Sequence, residues 1–170
     1  MLVVLALSVG LAGAAEGKLY GIGLPNMRTS GVGVGVSVGN PTGVTAAWHP
    51  GGPNAFQAGM GWNWSQGRLD TSVDWLRTLA APRIGGMHLP LYVGAGVGVT
   101  DILPGSRPNL LRRWFGPPTG VGLGVRVPVG ASLFFERMPL EVFAQTVPSA
   151  WLLPHPEIRA DLMLGGRWYF

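Results

Sequence analysis

The chain has 170 residues, of which 47% are hydrophobic and only 12% are charged, with a formal net charge of +4. This length suits a single domain, and the mild charge argues against a nucleic-acid binder, which usually carries a denser basic patch. The absence of cysteine excludes a disulfide framework, a thiolate metal site and a cysteine nucleophile. No run reaches the ~18 consecutive apolar residues of a membrane-spanning helix, so the apolar residues must be distributed in another way.

The first 15 residues predict a signal peptide. Leu2 to Ala15 is a largely apolar run that ends in Ala12-Gly13-Ala14, which has the form of an A-x-A cleavage site. The usual basic n-region is missing, so either the true start lies upstream or the signal is atypical. A buried strand or short helix of a soluble domain is the alternative. We expect cleavage after Ala14 or Ala15, which leaves residues 16–170 as the mature domain.

Gly31 to Gly39 is the first clear strand, and it shows the pattern that recurs through the chain. It reads GVGVGVSVG, so valines point to one face and Gly or Ser to the other, with the period of two of a β-strand. A face of bare glycine weakens an ordinary sheet. In a narrow barrel it leaves room for large side chains from the opposite wall, so we expect outward valines and an inward glycine face.

The same alternation, interrupted by turn sequences, predicts seven further strands. The first turn is Asn40-Pro41-Thr42-Gly43. Pro90 predicts an irregularity within the fifth strand. Residues 130–139 are expected to connect two strands, with Leu133-Phe134-Phe135 capping the near end of the barrel. The eight predicted strands are Gly31–Gly39, Val44–Trp48, Ala55–Trp64, Arg68–Leu76, Met87–Thr100, Gly120–Val129, Leu140–Val147 and Glu157–Phe170.

The last of these strands, Glu157 to Phe170, alternates along its whole length. Its odd positions carry all of its charges and its even positions carry none. It is longer than the ~9–11 residues that a tilted strand needs to cross a bilayer. Eight is an even number of strands, as in single-chain bacterial barrels. The fold class predicted for residues 16–170 is therefore all-β, a closed antiparallel eight-stranded transmembrane β-barrel.

Most charged residues of the predicted strands fall on the inward face. Opposite charges there should pair, because an unpaired buried charge is very costly. The interior of an eight-stranded barrel is just wide enough to be filled by side chains, which favours a structural core of ion pairs, and a narrow gated pore is the alternative. The predicted inward cluster is Arg68, Asp70, Asp74, His88, Arg126, Glu141, Arg159, Asp161 and Arg167.

The histidines do not predict a catalytic site. Small barrels that act as lipid A acylases or deacylases place His, Ser and an acid at the outer rim. Here His49 and His155 lie in connections beside proline, and His88 begins the fifth strand. None has a Ser and an acid at a recognisable spacing, so a lipid A-modifying enzyme is the least favoured alternative. We expect no catalytic residue, no metal site and no cofactor.

The connection from Asp101 to Thr119 is the one long predicted loop, and it falls on the external side, where long loops are expected. It contains the sequence RRWF. Its arginines would bind lipopolysaccharide phosphates while the aromatic side chains enter the membrane interface. An ordinary solvated loop is an equally good interpretation. The predicted contact residues are Arg107, Arg112, Arg113 and Trp114.

Several stretches resemble a small family of bacterial outer-membrane barrels of unknown function, related in shape to the OmpA transmembrane domain. The resemblance implies an eight-stranded barrel in the outer membrane and no catalytic residue. The last strand also resembles the closing strand of outer-membrane barrels, which implies that the assembly machinery reads the end at Phe170. The stretches that carry the family resemblance are VSVGNPTGVT (36–45), AGMGW (58–62), LPLYVGAGVG (89–98), GVRVPVG (124–130), MPLEVF (138–143) and GGRWYF (165–170).

The sequence thus predicts a monomeric barrel, exported through the inner membrane to the bacterial outer membrane, with a structural, adhesive or lipid-contacting role. Its expected partners are the lipid bilayer, lipopolysaccharide and the barrel-assembly machinery, with no nucleic acid. A narrow channel for small solutes is the second interpretation. A soluble lipocalin-like ligand-binding barrel is the third, and it requires an apolar interior and a polar exterior.

Overall fold

A computed structural model describes residues 31–64, 67–84, 87–100, 121–135, 138–153 and 156–170. The predicted signal peptide lies outside the described residues. Within the described part the chain is all-β, as predicted, and no helix there is long and apolar enough to cross a membrane. The strands are β1 Gly31–Gly39, β2 Thr42–His49, β3 Asn54–Asn63, β4 Arg68–Ala80, β5 Arg83–Ile84, β6 Met87–His88, β7 Leu91–Thr100, β8 Gly122–Arg126, β9 Val129–Phe135, β10 Leu140–Leu153 and β11 Glu157–Tyr169.

The strands pair in an antiparallel ring of eight, which confirms the predicted number. β1, β2, β3, β4 and β7 follow one another around the ring. β8 and β9 are successive parts of the next strand, separated by Val127 and Pro128, and both pair with β7 and with β10. β11 pairs with β10 and β1, which closes the ring. We call the end that holds Gly31 and Phe170 the Phe170 end, and the opposite end the Pro41 end.

The pairing register winds around the ring. A path that starts at Tyr169 and steps to the directly paired residue on each successive strand goes once around the ring. It returns to β11 at Arg159, ten residues from its start (169 to 159). Such a shear requires strands that tilt relative to the axis of the ring, by roughly 35–45° in closed sheets. Residues far apart in the register therefore reach the same height inside the ring.

The two faces of the ring have the polarity that the alternation predicts. The β1 valines Val32, Val34, Val36 and Val38 are 48 to 63% exposed. On β3 and β4, the polar side chains of Gln57, Asn63 and Asp74 are buried inside the ring, while Phe56 and Val73 are exposed. Alternate positions thus separate polar interior side chains from an apolar outer surface.

The inward glycines make room for large side chains, but these come from the neighbouring strand rather than from the opposite wall. Gly33 is the direct partner of Tyr169, and a Cβ on Gly33 would lie 2.6 Å from Cζ of Tyr169. Gly124 is the direct partner of Trp151, and its added Cβ would lie 2.8 Å from that indole ring. Tilted strands let an aromatic ring lie flat along the wall over an adjacent glycine.

Two predicted connections are wrong. Residues 130–135 were expected to link strands and cap one end, but they belong to β9, and Leu133 alternates with buried Ser132 and Phe134. The predicted seventh strand ended at Val147, whereas β10 continues to Leu153. In both places strand pairing with the neighbours outweighs the local turn signals, which are Gly130 in β9 and Pro148 in β10.

The predicted irregularity at Pro90 is confirmed. The fifth predicted strand divides into β6, which ends at His88, and β7, which begins at Leu91. Proline has no N–H for the sheet ladder, and the Pro90 carbonyl instead accepts a hydrogen bond from the N–H of Ser132, at 2.9 Å. β6 and β5 form a small hairpin attached to the end of β9.

The glycine packing predicts opposite effects of the same substitution at two inward positions. Gly33→Ala should lower the free energy of unfolding by ~1–3 kcal/mol, because the new methyl group overlaps the buried Tyr169 ring. Gly59→Ala should be neutral or stabilising by up to ~1 kcal/mol, because the nearest atom to its added Cβ is Ser72 Oγ at 3.6 Å. Urea unfolding in detergent micelles measures both, and equal effects would contradict this account of the packing.

Candidate functional site

The guanidinium of Arg167 joins four strands inside the ring. Arg167 is 2% exposed, and its Nη1 lies 3.1 Å from Oε2 of Glu141 on β10. Its Nη2 donates to Thr45 Oγ1 on β2 at 3.0 Å and to Gln57 Oε1 on β3 at 2.5 Å. The guanidinium also lies over the ring of Phe143, 4.0 Å from the centroid. These contacts satisfy a buried cation that would otherwise be strongly destabilising.

Glu141 is held by donors in addition to Arg167. Ser132 Oγ donates to Oε1 at 2.5 Å, and Tyr169 Oη donates to Oε2 at 2.6 Å. His49 Nε2 lies 3.1 Å from the same tyrosine oxygen. Because the tyrosine has one hydroxyl proton and directs it to the carboxylate, the histidine must donate through Nε2. His49 is thus the last residue of β2 and part of the polar core, not a residue of a connection as the sequence predicted.

The network continues from Gln57 to a second ion pair. Gln57 Nε2 donates to Oδ2 of Asp74 at 3.4 Å, and Oδ1 of Asp74 lies 2.9 Å from Nε of Arg126 on β8. Both charged residues are buried. Polar contacts therefore run without a break from Ser132 through Glu141, Arg167, Gln57 and Asp74 to Arg126, and they cross the inside of the ring.

Further polar side chains line the interior beside this network. Tyr92 Oη donates to Gln145 Oε1 at 3.0 Å, which links β7 to β10. Near the Pro41 end, Asn63 Nδ2 donates to Asp70 Oδ2 at 2.9 Å. There Arg159 stacks on Trp151, with its Cζ 4.3 Å from the ring centroid.

The structure places the predicted inward residues as follows. Asp70, Asp74, His88, Arg126, Glu141 and Arg167 are buried inside the ring. Arg68, Arg159 and Asp161, nearer the Pro41 end, are partly exposed. Ion pairs join Arg167 to Glu141, Arg126 to Asp74 and Arg159 to Glu157, and the carboxylate of Glu157 is half exposed. The external loop with Arg107, Arg112, Arg113 and Trp114, and also His155, lie outside the described residues.

The sequence did not identify the uncharged residues of the network, because only charged residues and histidine were predicted to form the inward cluster. Thr45, Gln57, Ser132 and Tyr169 all contact Arg167 or Glu141. The period of two already placed Gln57 and Tyr169 on the inward face, so parity alone was a usable signal. The inward position of Ser132 was not predicted, because residues 130–139 carry turn signals and β9 was not expected there.

No His, Asp or Glu group of three or more within the described ranges is arranged to hold a metal ion. His49 and Ser132 both belong to the shell of Glu141, where their hydrogen bonds go to Tyr169 and to the carboxylate itself. The chemistry of this arrangement is charge compensation, with each buried ion held by donors or acceptors from several strands.

Comparison of the chain with models of protein families, with curated proteins and with solved structures found no match. The resemblance to outer-membrane barrels therefore rests on the residues and stretches quoted above.

The central ion pair predicts strong coupling in a double-mutant cycle. Arg167→Met should lower the free energy of unfolding by ~3–5 kcal/mol, because Glu141 is left charged and buried. Adding Glu141→Gln should recover part of that loss, since Gln is uncharged and its one carbonyl oxygen still accepts one of the two hydrogen bonds that Ser132 and Tyr169 donate to the separate carboxylate oxygens. The matched cycle of Arg159→Met with Glu157→Gln should give a coupling energy below ~1 kcal/mol, because Glu157 is half exposed. Additive losses at the central pair in urea unfolding would contradict this account.

Proposed function

We propose that this protein is an outer-membrane β-barrel with a structural, lipid-contacting role, its interior held by paired charges. The observation that carries the proposal is the polarity of the ring. Among the outward positions of β1–β4 and β7–β11, Arg77 near the end of β4 is the one charged residue. A soluble protein rarely exposes contiguous apolar surface on this scale, whereas a membrane barrel presents an apolar band to lipid and polar groups to its interior.

The outward aromatic side chains support the same proposal. Toward the Phe170 end, Trp48, Phe56 and Trp75 are successive direct partners on three strands, and the first two rings stack with centroids 5.6 Å apart. Trp62 and Trp64 lie at the Pro41 end, and Trp64 is strongly exposed. Aromatic residues at both edges of an apolar band are typical of membrane interfaces.

The ring interior favours this role over the alternatives. A lipocalin-like binder requires an apolar interior, but the core of this ring is an ionic and hydrogen-bonded network. A channel requires a continuous open path, and the contacts of Arg167, Gln57 and Asp74 cross the interior. The lipid A-modifying alternative gains no support, because His49 and Ser132 are engaged in the shell of Glu141. The expected lipopolysaccharide contact, assembly through the last strand and a monomeric state remain part of the proposal.

The location is tested by expressing the full chain in a Gram-negative host and separating the membranes. The protein should fractionate with the outer membrane and, after extraction in detergent, should migrate differently on a gel with and without boiling, because a closed barrel resists unfolding by detergent at room temperature. Recovery of the protein in the soluble fraction, with no change of mobility on boiling, would contradict the proposal.

A charge placed at mid-height on the outer face should be costly. Val97 is 50% exposed, and its direct partners are Val73 and Val125. Val97→Arg should destabilise the protein in lipid vesicles by ~2–4 kcal/mol, whereas a substitution near the membrane interface should cost only ~0–1 kcal/mol. Leu152→Arg is the control near the membrane interface, since Leu152 is exposed and lies at the end of β10. Equal costs at the two positions would contradict the placement of the lipid-facing band.

The crossing network predicts that the ring does not conduct ions. Planar-bilayer recordings of the purified chain should show no discrete openings, because Arg167 and its partners occupy the interior from β2, β3 and β10. Regular single-channel steps from the natural sequence would instead favour the channel interpretation.

A further inference from the structure

Three buried side chains toward the Pro41 end present polar atoms that have no hydrogen-bond partner within the described residues. They are Oδ1 of Asp70, Oγ1 of Thr100 and Nη1 of Arg159. Asp70 and Thr100 are 4% and 1% exposed, and the side chain of Arg159 is 8% exposed. Buried polar groups are nearly always satisfied, so three such groups near one end of the interior indicate that something else satisfies them.

The unsatisfied acceptors and donors lie on opposite walls. Asp70 on β4 and Thr100 on β7 are direct partners. Arg159 lies on β11, which is separated from β4 by three strands in either direction around the ring of eight. One wall therefore offers a carboxylate oxygen and a hydroxyl group, and the facing wall offers guanidinium N–H groups.

Asp70 and Arg159 are held in place by contacts that leave Oδ1 of Asp70 and Nη1 of Arg159 available. Asn63 donates to the other carboxylate oxygen of Asp70, at 2.9 Å. The Arg159 guanidinium stacks on Trp151, whose Nε1 donates to Ser149 Oγ at 3.2 Å. The ion-pair partner of Arg159 is the half-exposed Glu157, at 3.4 Å from Nε. An arginine whose planar face is covered by an aromatic ring can still donate hydrogen bonds to a carboxylate through the N–H groups at its edges.

On the side of Asp70 that faces the Phe170 end, the wall of the ring leaves space in the interior. Gly59 and Ser72 are direct partners, whereas Gly98, the partner of Ser72 on its other side, is covered by the ring of Trp151. A Cβ on Gly59 would come no closer than 3.6 Å to any heavy atom outside the adjacent residues, whereas one on Gly33 would collide with Tyr169. The space beside Gly59 is therefore not filled by an aromatic ring from a neighbouring strand.

We propose that the Pro41 end of the interior binds a small zwitterionic solute that carries an ammonium and a carboxylate group. The carboxylate pairs with Arg159, and the ammonium is accepted by Asp70 and Thr100. A zwitterion satisfies both poles and leaves the net charge of the interior unchanged, so no new uncompensated charge is buried.

Calorimetric titration of the full chain in detergent micelles tests this site, with glycine, 4-aminobutanoate and 6-aminohexanoate as probes of increasing charge separation. At least one probe should bind, and butanoate and butylammonium should bind at least about tenfold more weakly, since each of them pairs with only one of the two charged groups. Arg159→Gln and Asp70→Asn should each weaken binding by a similar factor. Gly59→Leu should abolish binding by filling the space beside Ser72.

The Glu157→Gln variant is the matched control, because it changes the charge beside Arg159 without removing either pole, and it should retain binding of the zwitterion. Heat-dependent gel mobility shows separately whether each variant forms a closed barrel, so a failure of the proposed fold in the membrane is distinguished from a failure of this site. Absence of binding by all three zwitterions to a folded natural chain would overturn the proposal. So would equal binding of butanoate, or unchanged binding by the Arg159→Gln and Asp70→Asn variants.

Discussion

The buried ion pair between Arg167 and Glu141 is the interaction on which the rest of the interior depends. Neither charge is tolerable inside the ring alone, and their remaining hydrogen-bonding groups draw in Thr45, Gln57 and Tyr169 from other strands. These contacts fix how the strands sit around a common core. The ionic and hydrogen-bonded network therefore stabilises the interior together with buried apolar side chains such as Phe143, Val147 and Met163, while most large apolar side chains lie on the outside.

The shear of the ring explains why so few charged groups hold so many strands together. With a shift of ten residues per circuit, Tyr169 to Arg159, inward side chains from strands that are not neighbours meet at one height, as Arg167 of β11 meets Gln57 of β3. Glycine is the complementary requirement. An aromatic ring such as Tyr169 needs a partner without a side chain, and Gly33 provides it.

The period of two was sufficient to predict the strand class, the number of strands in the ring and the face of most residues, because alternation depends only on local geometry. Strand ends were less predictable. Gly130 and Pro148 are turn signals in the sequence, yet both lie within strands because the neighbouring strands supply hydrogen bonds on either side. The partners of each charge were beyond the sequence, because they depend on the shear. Arg126 was placed inside, but its pairing with Asp74 follows from the register of two intervening strand pairs.

If the ring is a membrane barrel as we propose, its apolar face contacts lipid and its polar face does not. Fluorescence quenching by brominated lipids tests it most directly, with variants that keep a single tryptophan, either Trp75 on the outer face or Trp151 inside the ring. We expect strong quenching of Trp75 and little quenching of Trp151 in vesicles of the same composition. Equal quenching, or stronger quenching of Trp151, would contradict it.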